Sequence, residues 1–146
     1  MSFEDLPRDW ATRPITDTAI FADVIDLVVT SRDRLDGAIY VLLCGPTGRL
    51  VQPCAVTNRE LAPIQDRREV IDPFARVLAG SVDGGGIVLA VARTGRADTT
   101  DDDREWHQAA LDVCREHGIR LLAAAVATPR AVWRLPDHPA ERALPA

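Results

Sequence analysis

Apolar positions recur along this chain with two different periods, and the changes of period mark out its elements. Ile20, Phe21, Val24, Leu27 and Val28 fall on one helical face, with Asp23, Asp26 and Thr30 opposite. Thr16 or Asp17 offers a short polar side chain to cap that helix, which should run to about Ser31. Residues 33–37 then read as a turn. Residues 38–44 are a continuous apolar run of strand-forming types. Gly45-Pro46-Thr47-Gly48 signals a hairpin turn, and residues 50–56 return as a second strand. Pro53 places that strand at an edge or an irregularity, because it lacks an N–H for one ladder.

The second half changes period again. Residues 57–66 are polar and read as a loop. Val70, Ile71, Phe74, Val77 and Leu78 recur at helical spacing, disturbed by Pro73. That predicts a helix starting near Asp72, with the proline in its first turn, or a kinked one. Asp83-Gly84-Gly85-Gly86 is a tight turn into the buried strand of residues 87–92. A polar loop follows, then a long amphipathic helix over residues 101–117, capped by Thr99 or Thr100 and ended by Gly118. Residues 119–127 and 131–135 read as two further strands. The order is helix, strand, strand, helix, strand, helix, strand, strand. It predicts an α/β (α+β) domain: a mixed central sheet with an N-terminal hairpin and helices packed on its faces. Residues 1–15 read as an arm with Trp10 packed on the body, residues 16–135 as one domain, and residues 136–146 as a flexible tail.

Composition narrows the class. The 146 residues are 47% hydrophobic and 27% charged, enough for one core without staples. The net charge of -5, from 17 basic and 22 acidic residues, argues against a nucleic-acid surface. The three cysteines, Cys44, Cys54 and Cys114, lie in apolar surroundings without a C-x-x-C pair, as buried thiols do in a reducing compartment. No apolar run is long enough for a membrane span, and there is no basic-then-apolar leader. The expected location is therefore the cytoplasm.

Candidate chemistry gathers after the central strand, where ligand sites of α/β folds collect. Asp103 and His107 lie one helical turn apart, with Cys114 two turns beyond, a spacing able to hold a metal. An amphipathic helix with a boundary histidine explains the same residues more simply. Arg93, Thr94 and Arg96 form a loop able to meet an anion beside a helix N-terminus. The neighbouring acids Asp98, Asp101, Asp102 and Asp103 oppose that. They suit the positive end of the helix dipole without any ligand. The glycines at 84–86 precede their strand and lack a following Lys-Ser/Thr, so they do not make a phosphate loop. There is no G-x-S-x-G.

Two segments carry a family likeness: Asp66-Arg67-Arg68-Glu69-Val70, and the long helix closing on Gly118-Ile119-Arg120-Leu121-Leu122. With the element order over residues 36–135, they resemble the JAB/MPN metalloprotease-like fold (cytidine-deaminase-like architecture), and most of all its bacterial RadC-like branch. That family binds zinc through His-x-His-Pro-Ser at the end of the central strand and an aspartate on the next helix. Carried over, the two histidine positions fall on Ala90 and Ala92, and the aspartate on Asp103. The catalytic glutamate of the family has no clear counterpart; the nearest acid is Asp36. Methyl groups have no lone pair, and a catalytic zinc needs about three protein ligands. The resemblance therefore implies a degenerate member: no cofactor, no catalytic residue, and work as a protein-interaction or scaffold module, by a protein partner or self-association. Two alternatives stand beside it: a metal-dependent hydrolase or deaminase-like enzyme using Asp103, His107 and Cys114, and a small-ligand sensor using the loop of residues 93–103.

Overall fold

In a computed structural model, residues 3–81 and 84–135 are described. The expected tail, His138 and Asp83 fall outside them. Five strands make one mixed sheet: β1 (Ala38–Cys44), β2 (Leu50–Thr57), β3 (Gly86–Ala92), β4 (Arg120–Ala127) and β5 (Val132–Leu135). Their order is β2-β1-β3-β4-β5. The hairpin β1/β2 is antiparallel, β1 and β3 are antiparallel, β3 and β4 are parallel, and β5 closes antiparallel on β4. β2 and β5 are the edges of the sheet, and Pro53 lies on β2, as expected, where a strand has a single hydrogen-bonded neighbour.

Among the described residues five α-helices join the sheet: α1 (Phe21–Val28), α2 (Ser31–Asp36), α3 (Asn58–Leu61), α4 (Arg67–Ala79) and α5 (Asp101–His117). Strand side chains alternate between two cores, as the two-residue period requires. Tyr40, Leu42, Val88, Ala90, Ala92, Ala123, Ala125 and Ala127 face Phe21, Val24 and Ile25 of α1. Ile39, Val41, Ile87, Leu89, Val91, Ala124 and Val126 face Val70, Ile71 and Leu78 of α4 and Ala110, Val113 and Cys114 of α5. Small alanines on three neighbouring strands let α1 approach one face closely.

Several local expectations need correction. The first helix was expected to start at Thr16 or Asp17 and run to about Ser31; α1 starts at Phe21 and stops at Val28. Asp17 instead turns the chain into it, its carboxylate accepting from the Ala19 N–H and its carbonyl from the Phe21 N–H. The expected turn at 33–37 is helix α2, whose N–H at Asp33 donates to the Thr30 hydroxyl. Arg34 fixes it: buried, it donates to the Val29 carbonyl, the Thr128 carbonyl and Asp26. The loop at 57–66 contains α3, closed by a capping box between Thr57 and Glu60. Helix α4 begins at Arg67, five residues before Asp72, because Asp66 caps it by accepting from the Arg68 N–H. Pro73 is thus interior and not in the first turn.

The glycine turn does the packing work expected of a tight connection. Gly85 has φ 141°, and a side-chain carbon there would overlap the Cys44 carbonyl oxygen. The N-terminal segment is not a loose extended arm. It forms short 3-10 turns at Phe3–Asp5 and Trp10–Thr12, then bridges Pro14 to Arg49. Ile15 is 1% exposed, and Trp10 packs beside the α1 core as expected. No helix among the described residues is long and apolar enough to cross a membrane.

Candidate functional site

Strand β3 ends at Ala92, and the chain then folds around one side chain, Arg93. Its guanidinium makes five hydrogen bonds, one for each N–H it carries. Nε and one Nη2 hydrogen take the Asp103 carboxylate at 2.9 and 2.8 Å. The second Nη2 hydrogen reaches the Asp98 carbonyl at 2.8 Å. Nη1 donates to the carbonyls of Thr94 and Arg96 at 3.0 and 3.1 Å. The loop of residues 93–103 is therefore wrapped on its own arginine. The Trp133 ring of β5 covers the guanidinium at 5.5 Å, and its indole N–H donates to the Thr99 hydroxyl.

Asp103 is the other half of this closure. It is 0% exposed. Its Oδ2 also accepts the Thr100 N–H at 2.9 Å, while the Thr100 hydroxyl accepts the Asp103 N–H, a reciprocal cap on α5. Burial pushes the Asp103 carboxyl up, but the Arg93 fork and the Thr100 N–H outweigh it and hold the group below its ordinary value. The paired carboxylate in turn raises Arg93. Both oxygens of Asp103 are spent on protein donors.

The positions that the resemblance singles out do not converge. Ala90 and Ala92 are 0% and 2% exposed and belong to the α1 core, whereas the apolar face of α5 belongs to the opposite core. Asp103, His107 and Cys114 do share one buried stripe of α5. They do not gather their donor atoms: Asp103 is closed by Arg93, and Cys114 sits in the apolar layer, where burial pushes its thiol up to about 11. A thiol that stays protonated at neutral pH is a poor metal ligand. Of the anion-loop residues, Arg93 has no donor left over, the Thr94 carbonyl accepts from it, and Arg96 pairs with Asp98 at the surface. Asp36 forms an exposed ion pair with Arg32.

The open polar surface is elsewhere, along the groove between α4 and α5. Clefts of about 210, 470 and 400 Å³ follow one another there. At one end Arg67 ties the helices, pairing with Asp102 and with Glu105 at 2.9 Å and lying over the Trp106 ring at 5.6 Å. At the other end Asp72 of α4 meets His117 of α5, Oδ1 to Nε2, at 2.7 Å. Glu116 stands beside them, and one donor atom from each of the three lies within 4.8 Å of the others. His117 closes α5, and no local pattern in the sequence joins it to Asp72, 45 residues earlier. No spacing rule links residues on two separate helices.

No family model matches the chain, and no curated protein matches its sequence.

Proposed function

We propose that this chain is a non-catalytic interaction module, built on a degenerate JAB/MPN-like framework of the RadC-like kind, which pairs with a second copy of itself along β2. The observation that carries this reading is the β2 edge. Its eight residues, Leu50–Thr57, hold no charged side chain, and Val51 is 62% exposed. Edge strands that must stay alone are usually blunted by charge, shortness or a covering element. The opposite edge, β5, is only four residues long and carries Arg134. On β2 only Pro53 acts as a guard, by withholding one N–H. An identical strand laid antiparallel across a two-fold axis would satisfy the remaining backbone groups and cover Val51 from both sides.

The degenerate-framework part of the proposal is supported by the same residues that close the loop after β3. Alanines at 90 and 92 supply no ligand, and Asp103 already holds an arginine. Light scattering across a concentration series tests the self-pairing. A dimer at micromolar concentration is expected, and Val51→Lys should shift it to monomer by putting a guarding charge on the edge. A clean monomer at millimolar concentration removes the self-pairing.

A further inference from the structure

We propose that Asp72, Glu116 and His117 form a binding site for a first-row divalent cation of the zinc type, which clamps α4 to α5. The site is independent of the β2 pairing and of the positions that the family resemblance points to.

Chemically, the three side chains are a mixed set, one imidazole and two carboxylates. Imidazole nitrogen with carboxylate oxygen suits zinc and its neighbours in the first row better than magnesium or calcium, which prefer oxygen alone. Three protein ligands also leave one position of a tetrahedral ion for water. The geometry is close to ready. Donor atoms on a tetrahedral zinc stand about 3.4 Å apart at ordinary bond lengths. Here Asp72 Oδ1 and His117 Nε2 are 2.7 Å apart, and all three donors lie within 4.8 Å. The pair need open by about 0.7 Å, and Glu116 need move inward by at most about 1.4 Å.

The arrangement exceeds what an ion pair between helices requires. One carboxylate suffices for His117, and Asp72 supplies it, which holds the Asp72 carboxyl below its ordinary value. Glu116 adds a second negative charge at the same place. Arg76 takes the other Asp72 oxygen at 2.6 Å, but its side chain is 73% exposed and free to swing outward. The flanking cleft of about 400 Å³, lined by Asp72, Glu116, Arg68 and Arg76, gives the ion a path from solvent. The site also lies in the last turn of α5, where unsatisfied carbonyls favour positive charge.

Untagged full-length protein, stripped with chelator, should be titrated with zinc chloride by calorimetry. One ion per chain is expected, with magnesium giving no saturable heat. Thermal melting with excess zinc should rise by several degrees, since an ion held only by the folded state stabilises it. Glu116→Gln should weaken zinc binding by at least about tenfold, and His117→Gln should abolish it. Cys54→Ser and His138→Gln should leave it unchanged. Zinc binding that is equal in Glu116→Gln and the parent, or lost in Cys54→Ser, overturns the site; so does the absence of saturable binding, which leaves Asp72 and His117 an ion pair only. If His117→Gln unfolds, the exposed Glu116 position still decides the matter.

Discussion

Asp103 and Asp72 are both aspartates of the helical layer on one face of the sheet, and both are paired, yet they are different kinds of group. Asp103 is sealed. Its two oxygens accept three hydrogen bonds, and its arginine has no donor to spare. Asp72 is about a quarter exposed, shares its oxygens between a histidine and a surface arginine, and has Glu116 at hand. The position that the resemblance points to is thus closed by its own partners, and the other lies partly open to solvent. A buried carboxylate whose lone pairs are all committed is structure, because any new ligand must first break charged hydrogen bonds out of water. A half-exposed one can exchange partners at little cost.

The comparison breaks most readily at Arg93. Arg93→Ala leaves Asp103 charged, buried and unpaired, and should cost about 3–5 kcal/mol in chemical denaturation. A loss below about 1 kcal/mol would show that the pair is no better than a surface bridge. Placing a histidine where the resemblance puts a ligand is the next largest perturbation. Ala90→His forces an imidazole into the α1 core and should cost about 1–3 kcal/mol or more, with no gain in zinc uptake. A stoichiometric gain of zinc there would show that the end of β3 can hold a metal after all.

Smaller effects sharpen the contrast. Asp103 titrates below its unfolded value of about 3.9, so its contribution is complete above that pH and is lost as pH falls through the folded value. Acid unfolding should therefore begin below about pH 4 in the parent, and the Asp103→Asn variant should lose this part of the pH dependence. Thr100→Ala removes one side of the α5 cap and should cost about 1 kcal/mol. Asp72→Asn, in metal-free buffer, should move the melting temperature less than any of these, while removing most of the zinc response.

The strands were legible because their pattern is local. Residues 38–44 and 87–92 are unbroken apolar runs, and Pro53 marks an edge wherever it stands in a strand. Helix α5 was legible for the same reason: Thr100, a first turn of acids, an apolar stripe and Gly118 in the left-handed region at φ 69° all lie within one segment. Thr57-x-x-Glu60 is likewise a local capping-box pattern at the start of α3. Helix α2 carries a short local cap, Thr30 accepting from the Asp33 N–H, but Ser31–Asp36 has no apolar period, and what holds it is Arg34 reaching the Thr128 carbonyl, 94 residues away.

By itself, then, the sequence determined the five strands, the three longer helices, their order and the mixed sheet, because hydrophobic period and turn chemistry act between near neighbours. Which face each strand residue enters, and so that Ala90 and Ala92 fill the core opposite α5, was decided only when the strands took their register. The same assembly closed Arg93 on Asp103 and brought Asp72 to His117. Charged side chains choose their partners by distance in space and by exclusion of water, and neither quantity exists until the chain has folded.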